Sequence, residues 1–171
     1  MHFSALLFLS VTLTSCGGKK QTASPAGTTI TTDVKSVTPA GSDTSRYTVI
    51  PFNERDKWLF NNAKPAELLP KEIGDVESLL ADAMLEHNKM VKGVMVLKPL
   101  EKYKLQLVPV TNEKGEKIVY VNCFCGGNAN SYFKNWRTEL VMVDDGGSCF
   151  FNVKINLTTR KSYDLMVNGV G

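Results

Sequence analysis

The sequence has 171 residues, a formal net charge of +3, 43% hydrophobic residues and 22% charged ones. That is enough chain for one domain and too little for two large ones. The ordinary charge mix excludes a polyanion-seeking basic protein and a wholly disordered acidic one. No apolar run reaches the roughly 20 residues that a membrane-spanning helix needs.

The chain opens on an apolar stretch, Phe3 to Leu13, softened by Ser and Thr. Its length matches the core of a secretory signal and is too short for a span. It runs directly into Leu13-Thr14-Ser15-Cys16-Gly17. An aliphatic residue, two small residues and then Cys resembles the lipobox of bacterial lipoprotein signal peptides. The resemblance covers only the leader. It implies that residues 1–15 are removed and that Cys16 becomes the acylated first residue, held to a membrane by its acyl chains. Each buried CH₂ contributes ~0.8 kcal/mol, so several chains anchor far more firmly than one. Gly17, rather than Asp, follows the cysteine, which by resemblance to diderm lipoproteins points to the outer membrane.

Residues 17–45 are dominated by Gly, Ser, Thr, Pro and Ala and hold no aromatic residue. Such a segment cannot bury enough apolar area to offset its ordering entropy. Residues 16–45 therefore read as the lipidated cysteine and a flexible linker, with a root-mean-square span of roughly 30 Å.

Residues 46–171 carry the aromatic residues and read as a single globular domain. From about Pro70 to Lys89, Ile73, Val76, Leu80, Ala83, Met84 and His87 fall on one helical stripe, with Asp75, Asp82 and Glu86 opposite. Pro70 suits the first turn, where a missing N–H costs nothing. Strand patterns follow at Tyr103–Val110, Lys117–Cys125, Leu140–Val143, Cys149–Leu157 and Tyr163–Val167. Asn112 to Gly115, Gly126 to Ser131 and Asp144-Asp145-Gly146-Gly147 punctuate them. The expected fold is α+β: one helix packed on an antiparallel four- to five-stranded meander sheet. In element order this resembles the cystatin-like architecture. Cysteine-protease inhibitors of that family carry Q-x-V-x-G in the first hairpin after the helix. Here Gln106-Leu107-Val108-Pro109-Val110 keeps Gln and Val but has Val110 where the motif needs Gly.

Catalytic signals are absent. No P-loop, dinucleotide-binding glycine pattern or nucleophile elbow occurs, and no basic, aromatic-interleaved patch suggests nucleic acid. His87 lies in the apolar stripe and reads as a core histidine. Cys123-Phe124-Cys125 is not a usual zinc spacing, and Asp144-Asp145 lacks the further spaced oxygens of a calcium loop. The expectation is a non-enzyme without cofactor or metal. In an up-and-down meander with a strand at Leu140–Val143, Cys125 and Cys149 would lie some 20 Å apart at ~3.3 Å per residue. A disulfide needs Cα atoms within about 7 Å. The favoured expectation is therefore buried free thiols at Cys123, Cys125 and Cys149, with a bridge requiring a different strand order.

Strand parity puts Tyr120, Asn122 and Phe124 on the outer sheet face, with Phe150, Asn152, Lys154 and Asn156. Aromatic residues on a nominally solvated side mean either internal cover, which Trp58-Leu59-Phe60 could supply, or a binding face. The segment Gly126 to Trp136 adds Tyr132, Phe133 and Trp136, again either folded back on the sheet or presented to a partner. The possible partner-binding residues are Tyr120, Phe124, Phe150, Asn152, Tyr132 and Trp136. The function expected is a lipid-anchored cell-envelope module that binds a protein, peptide or small ligand. The alternative is a structural envelope accessory, with a cystatin-like inhibitor or an enzyme behind it.

Overall fold

The computed structural model describes residues 45–128 and 132–171. The leader, the lipobox with Cys16 and nearly all of the linker lie outside the described residues. Among the described residues, no helix is long and apolar enough to cross a membrane.

The fold is α+β: a six-stranded mixed sheet with one α-helix packed on one face. The strands are β1 (Tyr47–Val49), β2 (Lys64–Pro65), β3 (Tyr103–Thr111), β4 (Lys117–Cys125), β5 (Phe150–Asn156) and β6 (Lys161–Val167). Strands β3 to β6 form the antiparallel meander. The other edge of β3 is shared: β1 runs parallel to it at Leu105–Leu107, and β2 pairs antiparallel at Val110 and Thr111. The parallel strand makes the sheet mixed rather than purely antiparallel. A three-residue segment carries too little alternation to be read as a strand.

Helix α1 spans Pro70–Met90. Ile73, Val76, Leu79, Leu80, Ala83 and Met84 are buried against Leu105, Leu107, Val119, Val121, Phe151, Val153 and Ile155 of the sheet. Leu69 has no side-chain acceptor to cap the helix. Glu72 compensates by accepting the Leu69 N–H at 2.8 Å, while its carboxylate receives Lys117 Nζ of β4 at 2.8 Å. Partial burial pushes the Glu72 carboxyl up, but Lys117, the Leu69 N–H and Lys71 together outweigh this and hold it below the ordinary value. His87 stands at the stripe's end, its Nε2 3.1 Å from the Met95 carbonyl.

The connection between β4 and β5 departs most from the sequence expectation. Leu140–Val143 is not a strand, and Asp144 to Gly147 is not a hairpin turn between strands. Strand β4 instead pairs directly with β5, Phe124 facing Phe150. The described residues between them form no strand, and Trp136 and Val141 among them pack on the outer face. Cys149 therefore immediately precedes β5, at the same sheet end where Cys125 closes β4. The expected free thiols at Cys125 and Cys149 give way to a disulfide, with Cα atoms 4.9 Å apart. Lys98 Nζ lies 3.2 and 3.1 Å from the two sulfurs. Cys123 remains a buried free thiol, and burial pushes its pKa up. Gly146 precedes the bridge with φ +97; a Cβ there would stand 2.5 Å from the Phe150 ring.

Two predictions follow from these contacts. Replacing Cys125 and Cys149 together by Ser removes a cross-link that closes a 24-residue separation. A loss of about 3 kcal/mol and a Tm fall on the order of 10 °C are expected by thermal denaturation. Glu72→Gln should destabilise the chain by roughly 1–2 kcal/mol at pH 7. Because the folded carboxyl titrates below the unfolded one, this difference is full above the ordinary glutamate value of about 4.3. It disappears as pH falls through the lower folded value. Denaturant titrations of both chains at pH 7 and at pH 2.5 check the sign.

Candidate functional site

The outer face of the sheet is covered in two places and open in a third. The first cover is the chain between β1 and β2. It contains a 3₁₀ stretch, Glu54–Leu59, started by Asn53, whose side chain accepts the Arg55 N–H at 2.9 Å. Ile50, Phe52, Leu59 and Phe60 bury Val108, Val110, Ile118 and Tyr120. The second cover is the β4–β5 connection. Trp136 and Val141 are buried on Phe124, with Phe133 and Phe150 packed alongside. The Phe124 ring meets Phe133 and Trp136 edge-on at 5.6 and 5.7 Å.

A row of amides holds the second cover down. Gln106 of β3, Asn122 of β4 and Asn152 of β5 stand opposite one another on the outer face. Gln106 is wholly buried. Its Nε2 donates to the carbonyls of Trp136 and Glu139 at 2.5 and 2.6 Å. Its Oε1 accepts from the Val141 N–H at 2.8 Å and from Asn122 Nδ2 at 2.9 Å. Asn122 Nδ2 also donates to the Val141 carbonyl at 2.8 Å. Gln106 through both ends of its amide, and Asn122 through its Nδ2, thus hold down an irregular segment that has no ladder of its own. The third amide, Asn152, makes no side-chain hydrogen bond among the described residues.

Between the two covers lies a groove of about 430 Å³. Its floor is Tyr120, Asn122, Phe150 and Asn152, and its walls include Trp58, Leu59 and Val141 to Val143. Lys154, Asp164, Met166 and Asn168 bound it along β5 and β6. Trp58, Met142 and Met166 are 59%, 61% and 65% exposed, so three large apolar side chains rim it. The Trp58 ring meets Tyr120 edge-on, centroids 6.4 Å apart. Tyr120 is only 5% exposed, and burial pushes its pKa far above the ordinary value, so its hydroxyl is neutral. That hydroxyl has no hydrogen-bond partner among the described residues, yet it keeps contact with the groove. The charges are paired: Lys154 Nζ lies 3.1 Å from Asp164 Oδ2 and 5.6 Å from the Phe60 ring centre. Asp164 has φ 53, in the left-handed region, beside the register shift between β5 and β6.

Of the six residues singled out from sequence, Tyr120, Phe150 and Asn152 meet in this groove. Phe124 and Trp136 do not reach it, being packed on each other beneath the second cover. Tyr132 is 78% exposed and lines a separate pocket with Phe133, Lys134 and Met142. Strand parity did not single out Trp58, Met142, Asp164, Met166 and Asn168. Met166 stands opposite Asn152, so a β5–β6 register would have found it; the bulge at Asp164 hides that register. Gln106 to Val110, the stretch compared with the inhibitor motif, is buried within β3 rather than presented at a hairpin tip. No group of three or more His, Cys, Asp or Glu that could hold a metal occurs among the described residues. The chain matches no protein-family model, no curated protein and no solved structure.

Gln106→Met keeps volume but leaves the Trp136 and Glu139 carbonyls and the Val141 N–H without their partner. A cost of about 2–4 kcal/mol is expected. Hydrogen exchange should show the Val141 amide losing protection before the β3–β4 ladder does.

Proposed function

We infer that this chain is a lipid-anchored cell-envelope protein whose folded part binds a ligand in the outer-face groove. The lipobox at Leu13 to Cys16 supports the anchor, and the Gly-, Ser-, Thr- and Pro-rich composition of the residues after it supports a tether to the folded domain. One observation carries the binding reading: the Tyr120 ring is buried while its hydroxyl opens into a concave site beside the half-buried Asn152 amide, neither group having a hydrogen-bond partner among the described residues. Polar groups converging in an apolar-rimmed pocket are the usual form of a ligand site.

Both halves are tested in cells. Wild type should fractionate with membranes, and Cys16→Ala should be released or left unprocessed; equal solubility of the two removes the anchor. A photo-reactive residue placed at Met166 should form adducts that Tyr120→Phe and Asn152→Ala abolish. Adducts unchanged by both substitutions would show that the groove is not the binding site.

A further inference from the structure

The groove's chemistry restricts its occupant, on the premise that the groove is the binding site. We propose that it takes a neutral saccharide bearing N-acetyl groups, the acetamido group seated on Asn152. The first argument is charge. The groove's one cation, Lys154, is already ion-paired with Asp164 at 3.1 Å. An anionic or cationic ligand would meet a partner already neutralised, and would have to displace it. The groups open among the described residues, the Tyr120 hydroxyl, the Asn122 Oδ1 and the Asn152 amide, are all neutral and offer donors as well as acceptors.

The second argument is pairing. A carboxamide with both its N–H and its C=O free matches another amide reciprocally, one bond each way. An acetamido group supplies that amide and a methyl beside it. Met142 and Met166 stand exposed on the rim to receive the methyl, and thioethers adapt to irregular apolar shapes. Trp58 leaves more than half of its surface exposed, enough to lie along the C–H face of a pyranose ring. The Tyr120 hydroxyl, held neutral by burial, then meets a sugar hydroxyl.

The third argument separates a saccharide from a peptide. Peptides that bind in extended form add to a sheet edge and use its backbone groups. This floor lies on the face of β4 and β5, whose backbone groups are spent on neighbouring strands on both sides. On the floor itself no ladder is open to an extended chain; the open edge is that of β6 at the groove's border, where the register shift at Asp164 interrupts it. Side-chain amides, a phenol and an indole are what the groove provides.

The test uses the full-length chain with isotope-labelled methionine methyls, Met142 and Met166 reporting directly on the rim. Three probes are titrated: the β-1,4-linked trimer of N-acetylglucosamine, the corresponding glucose trimer, and a neutral tripeptide. The N-acetylated trimer should shift both methyls saturably. Asn152→Ala and Tyr120→Phe, which leave the core rings in place, should each weaken it at least tenfold. Glucose trimer binding equally well would overturn the acetamido assignment. Shifts with the peptide alone would overturn the saccharide and leave the groove as a binding site. Silence with all three probes would also overturn the saccharide; the adducts formed at Met166 in cells would then decide separately whether the groove binds anything.

Discussion

Gln106 is a buried amide in the middle of a sheet face, and the outer half of the molecule depends on what it bonds. Its four hydrogen bonds, two given and two taken, tie it to Asn122 on the neighbouring strand and to a segment without regular structure. An irregular segment cannot be buried unless its backbone groups find partners. Gln106 and Asn122 supply those partners from the sheet side, at Trp136, Glu139 and Val141. Only then can Trp136 and Val141 close over Phe124 and remove its ring from water. The apolar burial and the amide network are therefore one construction, since neither would survive alone.

The same segment explains the disulfide. Were Leu140–Val143 a strand, β5 would be displaced by one position and Cys149 would sit at the far end of the sheet. Because the Val141 N–H and C=O are taken by side-chain amides, no neighbouring strand can use them. Strand β5 takes the place beside β4, and Cys149, just ahead of β5, meets Cys125, the last residue of β4. The C-terminal residues complete the arrangement: Asn168 Nδ2 donates to the Val143 and Asp145 carbonyls, and the Gly147 N–H donates to the Gly169 carbonyl.

How far the sequence reveals the structure follows from the same distinction. Helix α1 and strands β3, β4 and β5 are readable because their burial is periodic: one stripe of a helix, or one face of a strand. The α1 stripe from Ile73 to Met84 and the alternation of Phe151, Val153 and Ile155 are direct imprints of the core. The outer face leaves no comparable imprint. Leu140–Val143 is apolar like a strand, but it is satisfied by side chains distant in sequence, which no local pattern encodes. Tyr120, Phe150 and Asn152 could be placed on one face by parity. That Phe124 would be sealed and Tyr120 left with a free hydroxyl depends on where the covers end. Trp58 illustrates the limit, since it lies beside Leu59 and Phe60, which do become cover, while its own ring remains largely exposed.

The groove exists because the covers stop short, and the residues along β5 and β6 fit that gap. An outer row of Val or Ile there would have drawn more chain over it, as Val108, Val110 and Ile118 do under Phe52 and Phe60. Asn152 and Lys154 do not favour such closure. The bulge at Asp164 also bends β6 locally and turns its carboxylate to Lys154. A non-glycine residue in the left-handed region costs roughly 1–2 kcal/mol. Strain of that kind persists where the surroundings over-determine it, and it is concentrated at sites that bind or act. Here the left-handed Asp164, and a hydroxyl and an amide without partners among the described residues, all border one cavity. The bulge also disturbs the exposed edge of β6, where a regular strand would invite another chain to pair. One local distortion thus shapes the groove and guards the edge beside it.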